Sequence, residues 1–241
     1  CQKFEDTWMV SDVQNAVNSA GGAQASDVAG AKVKALLNTK RYIEHRMNGD
    51  GDHQTEGAGQ ARLLRGLGDW IDSAGPDDVP ADYRTPAASI GSNGASTKES
   101  QFNAILQSMF TATGYSGGMT AFCAPSLRAQ ISSFGKIDLS ATGQRYTVTE
   151  PASSKTITFS VQIFESDFGT VAIANLNPAC VPTTGGAADR GYILPMNLIS
   201  VKRLIPMGSY DLEDKGGGER GFCKEVVTLC VKNPKGLGKI V

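Results

Sequence analysis

Histidine is nearly absent from this 241-residue sequence: only His45 and His53 occur. Cysteine is sparse and scattered (Cys1, Cys123, Cys180, Cys223, Cys230), with no C-x-x-C pair. A zinc site draws on clustered Cys or His ligands at short spacing, so no metal centre is expected. Cys223 and Cys230 differ by seven positions, so on one strand they would point to opposite faces and could not bridge. The five cysteines are therefore expected to be free, mostly buried thiols, which suits a reducing compartment. No stretch approaches the ~20 consecutive apolar residues of a membrane helix. An excess of either charge is also missing, since 23 Lys and Arg against 24 Asp and Glu leave a net charge of -1. A domain that grips nucleic acid through its phosphates carries a basic excess. No P-loop or dinucleotide fingerprint exists, and the glycines at Gly185-Gly186 and Gly216 to Gly218 lack a strand-loop-helix setting that would cradle phosphate. What is present is ordinary for a folded chain: 40% hydrophobic residues, 20% charged, and 28 glycines that mark many turns.

Phe4 to Val13 reads as extended, and Ser19 to Ala25 as a small-residue break. A long helix is predicted from Asp27 to Met47, capped by Ser26 and stopped by Asn48-Gly49. Ala29, Val33, Leu36, Leu37, Ile43 and Met47 form its apolar stripe, and Lys40, Arg41, His45 and Arg46 crowd its negative end. A shorter helix is predicted over 59–71, followed by a proline-rich loop over 74–95 without regular structure. Ser96 and Glu99 match a capping box ahead of Phe102, Ile105, Leu106, Met109 and Phe110, and Gly114 ends that helix. Met119 to Ala124 reads as a strand and Pro125 as the opening of another helix. Lys155 to Phe164 alternates as a strand, and Val171 to Leu176 reads as another. Asn197 to Ile205 and Lys224 to Lys232 are strand-like, so the glycine-rich, charged segment between them is predicted as the tip of a long hairpin.

Candidate chemistry is thin. Gly114-Tyr115-Ser116-Gly117-Gly118 matches G-x-S-x-G, but a nucleophile elbow sits between a strand and a helix, and here the helix comes first. Both histidines also precede Ser116, against the hydrolase order. Asn48 to His53 faintly resembles a calcium loop yet lacks the ligand register and the twelfth-position glutamate. Asp77, Asp78 and Asp82 lie in the proline-rich loop with no supporting shell for acid–base work. No catalytic, cofactor-binding or metal-ligating residue is assigned.

The element order and several local stretches resemble a known family. They include Lys40-Arg41-Tyr42-Ile43-Glu44, Leu64-Arg65-Gly66-Leu67 with Trp70-Ile71, Ser166-Asp167-Phe168-Gly169-Thr170, Gly191-Tyr192-Ile193-Leu194, Leu204-Ile205-Pro206 and Lys224 to Asn233. In this order they resemble the major capsid proteins of tailed bacteriophages, with the Hong Kong 97-like shell fold. The resemblance implies an α+β chain with a long spine helix, a peripheral domain bearing a long β-hairpin, and a mixed α/β axial domain. On that reading 1–22 is the end of an extended loop, 23–60 and 195–232 are peripheral, and 61–194 and 233–241 are axial. The family's N-terminal arm and most of its extended loop find no counterpart in this sequence. The implied function is a structural subunit that self-assembles into an icosahedral or prolate head around double-stranded DNA, without catalysis or cofactor. Implied partners are other copies in hexamers and pentamers, with portal, scaffolding or decoration proteins, and packaged DNA only through loose contact. The implied location is the virion shell, after synthesis in the bacterial host cytoplasm. Subunit-interface candidates are Arg41 and Glu44 on the spine helix and Tyr210, Asp211, Asp214, Lys215, Glu219 and Arg220 around the hairpin tip. Two alternatives stay open: an encapsulin-like compartment that holds protein cargo, and a serine hydrolase using Ser116.

Overall fold

The computed structural model describes residues 1–16, 24–134, 138–139, 144–145, 162–180, 189–213 and 216–241. In chain order the elements are β1 (Gln2–Val10), α1 (Asp12–Ala16), α2 (Gln24–Met47), α3 (Leu67–Trp70), β2 (Ile90–Gly91), α4 (Glu99–Thr113), β3 (Met119–Cys123) and α5 (Pro125–Ser133). They continue with β4 (Asp138–Leu139), β5 (Gln144–Arg145), β6 (Ile163–Ser166), β7 (Gly169–Asn175), β8 (Gly191–Leu194), β9 (Ile199–Asp211), β10 (Glu219–Val231) and β11 (Gly238–Ile240). The chain divides into two units, each assembled from separate stretches. Unit 1 holds Cys1–Asp69 and Ser200–Cys230; unit 2 holds Trp70–Ile199 and Val231–Val241.

Unit 1 is a helix laid on a sheet. Its three strands run in the order β1-β10-β9, with β1 antiparallel to β10. Period-two alternation buries Gly221, Cys223, Glu225, Val227 and Leu229 of β10 on one face, together with Phe4, Trp8 and Val10 of β1. Helix α2, ~36 Å long at ~1.5 Å per residue, covers that face. It begins at Gln24, so Ser26 lies inside it rather than capping it. Val28, Ala31, Ala35 and Leu36 pack around Trp8 and Cys223, and Ile43 and Met47 around Phe4, Leu64 and Val227.

The predicted stripe on α2 is half right. Leu36, Ile43 and Met47 face the sheet, but Ala29 is exposed, Val33 is 53% exposed and Leu37 is 48% exposed. The small residues Ala31, Ala35 and Thr39 take their place against the strands, which brings the helix close enough for Trp8 to fill the gap. Thr39 satisfies its buried hydroxyl by donating to the Ala35 carbonyl at 2.9 Å.

The helix predicted over 59–71 survives only as the single turn α3. Backbone pairing wins there. Gln54 and Leu63 bond to one another, Gly66 donates to Gly51, and Gly68 donates to Gly49. A Cβ at Gly66 would fall on the Gly49 carbonyl oxygen, so the two segments approach as only glycine allows. Arg46 adds a clamp from the end of α2, donating to the carbonyls of Leu64 at 3.0 Å and Asp52 at 2.7 Å.

Unit 2 is built on a six-stranded mixed sheet in the order β2-β11-β8-β3-β7-β6. Strands β3 and β7 are parallel, as are β2 and β11, while β8 is antiparallel to both β3 and β11. Phe102, Ile105, Leu106 and Met109 of α4 join Leu127 and Ile131 of α5 against Ala121, Val171, Ile193 and Ile240 of the sheet. Phe102 sits edge-on to Phe134 and Phe164, with centroids 6.3 and 5.2 Å away. The predicted capping box shifts two residues along: α4 starts at Glu99, and the Lys98 backbone N–H donates to the Gln101 side chain at 2.9 Å. Gly114 closes the helix at φ 68°, as its position predicts, and α5 opens at Pro125.

The segment over 74–95 is more ordered than its composition suggests. It forms short 3-10 turns at Ala81–Tyr83 and Ala87–Ser89 and then β2. Arg84 ties it together by donating to the carbonyls of Val79 and Ala74, and the buried Thr85 hydroxyl donates to Pro234 at 2.8 Å. Of the strand predicted over 155–164, 155–161 lie outside the described residues; in β6 Phe164 packs against the core and Ile163 is exposed. The terminal hairpin strands reach further than predicted, to Asp211 and back from Glu219, so the tip is short.

Candidate assembly surfaces

Ser116 is exposed in the turn after Gly114, with α4 before it and β3 after it, the reverse of a nucleophile elbow. In the loop that faintly resembles a calcium site, Asp52 faces arginine. The nearly buried Arg65 side chain reaches Asp52 Oδ1 at 2.7 Å and Asp69 at 2.9 Å. Arg65 also lies 2.8 Å from His53 Nδ1, and that nitrogen lies 2.9 Å from Asp52. Burial alone would raise the Asp52 pKa, but hydrogen bonds from Arg65 and His53 and the guanidinium charge prevail and hold it at about 2. Among the described residues, no group of three or more His, Cys, Asp or Glu could hold a metal ion. Burial pushes the Cys123 thiol up to about 12, against the opposing charge of Arg128, so it stays protonated. Cys180 and Cys223 are also buried, Cys230 is half-buried and Cys1 is exposed.

The hairpin candidates fall into three kinds. Asp211 turns to its own helix, with Lys32 Nζ 2.9 Å away, and Lys32 also sits over the Trp8 ring at 4.9 Å. Tyr210 faces the other way, stacked on Phe222 at 5.4 Å with Lys224 Nζ 4.6 Å above its ring. Arg220 donates to the Glu213 carbonyl from two nitrogens at 3.3 Å, which braces the tip, and Glu219 is exposed beside it. Asp214 and Lys215 lie outside the described residues. Arg41 and Glu44 are exposed on α2, on the side that carries Val33 and Leu37.

Sequence reasoning missed two features. Glu225, 4% exposed in the middle of β10, accepts from Arg203 of β9 at 2.6 Å. A charged residue inside a strand of alternating pattern is the signal for such a pair, since an unpaired buried carboxylate costs too much. The second is the outer face of the unit 1 sheet. Tyr210 and Lys224 on that face, with Asp211 and Glu225 on the inner one, fix the alternation of β9 and β10. Leu204, 71% exposed, and Leu212, 49% exposed, therefore lie outward on the face of Tyr210 and Phe222, with Leu204 ~20 Å along β9 from Tyr210. Met9 of β1 is 62% exposed on the same face.

The fold is similar to that in the structure of the cyanophage A-1(L) capsid asymmetric unit, with TM-score 0.64 and 14% identity, covering 99% of this chain and 76% of that one. It is also similar to a chain of Mycobacterium phage Che8, with TM-score 0.53 and 14% identity over 99% of this chain and 70% of that one. The holo-SrpI encapsulin complex from Synechococcus elongatus PCC 7942 matches with TM-score 0.51 and 11% identity over 99% of this chain and 72% of that one. No curated protein sequence matches the chain. At such low identities the structural likenesses give the fold, the Hong Kong 97-like phage capsid fold, and the sequence itself gives the kinship. The profile of the SU10 major capsid protein family matches residues 1–241, from end to end, and the chain belongs to that family.

Proposed function

We propose that this chain is the tile of a tailed-bacteriophage head, closing into a shell around double-stranded DNA through repeated contacts with its own copies. The observation that carries this reading is the family match over residues 1–241, on a fold similar to phage capsid chains. The chemistry agrees with it. A tile distributes its function over surface, and large apolar side chains stand exposed on both α2 and β9 of unit 1. The net charge of -1 limits repulsion between crowded copies and keeps contact with packaged DNA loose. Catalysis and cofactors have no part in this role.

In this reading unit 1, with its long helix and hairpin, is the peripheral domain, and unit 2 is the axial domain crowded around five-fold and six-fold centres of pentamers and hexamers. The hairpin tip, from Tyr210 through Asp214 and Lys215 to Glu219 and Arg220, meets symmetry mates, as do Arg41 and Glu44 of α2. Portal, scaffolding and decoration proteins are the further partners. A second reading, a cargo-holding compartment, draws on the likeness to the encapsulin chain.

Expression of the protein, alone and beside its neighbouring gene products, followed by sedimentation and electron microscopy, tests the proposal. Closed icosahedral or prolate shells are expected. A monomer under every assembly condition overturns the reading, and shells loaded with a specific host enzyme instead of DNA favour the compartment.

A further inference from the structure

Antiparallel sheets that cover a core on one side usually show water a polar second side. The second side of the unit 1 sheet mixes polar and large apolar side chains. The sheet's inner face is closed by α2, while its outer face presents Leu204, Tyr210, Leu212 and Met9, and no described element covers them. Cations stand among these apolar side chains, Arg220 and Lys224 on the central strand β10 between Met9 of β1 and Tyr210 of β9. Lys202 is exposed on β9, Lys224 lies over the Tyr210 and Phe222 rings at 4.6 and 5.6 Å, and Arg220 and Lys3 share the face. Glu5, paired with Lys3, is the acidic side chain of the outward β1 positions. A face on which apolar and cationic side chains alternate calls for an occupant that is both apolar and acidic.

The chain carries such a surface in unit 2. The turn from Pro76 to Tyr83 exposes Asp77, Asp78 and Asp82, and beside them Tyr83 stands 62% exposed. Arg84 holds this turn in shape through the carbonyls of Val79 and Ala74, so it meets a partner already ordered. Two different, complementary patches on one chain are what a head-to-tail contact between identical copies needs.

We infer that in the assembled shell the outer face of the β1-β10-β9 sheet is buried by the acidic Pro76–Tyr83 turn of a neighbouring copy. The inference deepens the shell reading and rests on it. Its contact is charge-paired, so assembly weakens as salt rises.

The test uses the full chain and a charge swap. Lys202→Glu with Lys224→Glu is expected to abolish the fast-sedimenting particles while the circular dichroism of the monomer is unchanged. Adding Asp77→Lys and Asp82→Lys to the same chain is expected to restore them. Zero-length carbodiimide coupling on wild-type particles gives a readout without mutation, with Lys202 joined to Asp77 or Asp82 of another chain. Failure of the swap to restore particles, with no such cross-link in wild-type shells, overturns the inference; so does a shell of this chain alone in which Lys202 and Lys224 react with an amine label as fast as in the monomer. Both of those results leave the shell reading standing. Absence of particles from the wild-type protein removes the shell reading itself.

Discussion

Arg65 is 6% exposed, and its guanidinium bridges Asp52 and Asp69 while touching His53. Replacing it with alanine leaves Asp69 facing the interior without its cation. The expected loss in urea denaturation is about 2–3 kcal/mol, below the ~3–5 of a fully buried pair because Asp52 reaches water. Asp52 itself predicts an acid limb. Its pKa is lowered from 3.8 to about 2 in the folded state, so the unfolded chain takes up the proton first. Its contribution is intact above pH 3.8 and is lost as pH falls toward 2; Asp52→Asn should flatten the stability profile across that window, measured by urea melts at stepped pH. The sequence showed these residues as a faint calcium loop. What it could not show was the partner, because Arg65 stands thirteen positions away and is delivered by a folded-back loop rather than by helical spacing.

Helix α4 was readable to the residue at its end, because every local signal agreed there. Its Gly114 sits at φ 68°, where a side chain is strained, so Gly114→Ala should cost about 1 kcal/mol in thermal unfolding. Phe102, fully buried between two other phenylalanine rings, should cost about 3–5 kcal/mol as Phe102→Ala. Helix α2 was readable in its length and not in its orientation. Summed hydrophobicity chose Val33 and Leu37, whereas close packing on a strand chose Ala31, Ala35 and Thr39. The helix expected over 59–71 failed for a different reason. Leu63, Leu64 and Leu67 have helical spacing, but the Gly49, Gly51, Gly66 and Gly68 backbones pair with each other instead. The candidate hairpin was visible as two apolar runs around a glycine-rich turn. The inward turn of Asp211 and the buried Glu225 were not, since both depend on which face of β9 and β10 meets α2.

Each unit draws on stretches far apart in the chain. Strand pairing within unit 2 was not legible: β11 inserts between β2 and β8, and β2 is too short to announce itself. Leu237 and Ile240 are fully buried in this region. Deleting 232–241 should therefore expose the β8 edge and leave β2 without its partner, read as loss of cooperative unfolding and rapid proteolysis of residues 70–199.

That same insertion bears on timing. β11 is the last strand of its sheet to be translated, yet it occupies an interior place in the strand order, between segments made more than a hundred and more than forty residues earlier. A nascent polypeptide that has not reached residue 238 thus carries an open slot where β11 belongs. The sheet of unit 2 therefore stays incomplete until synthesis has passed residue 240.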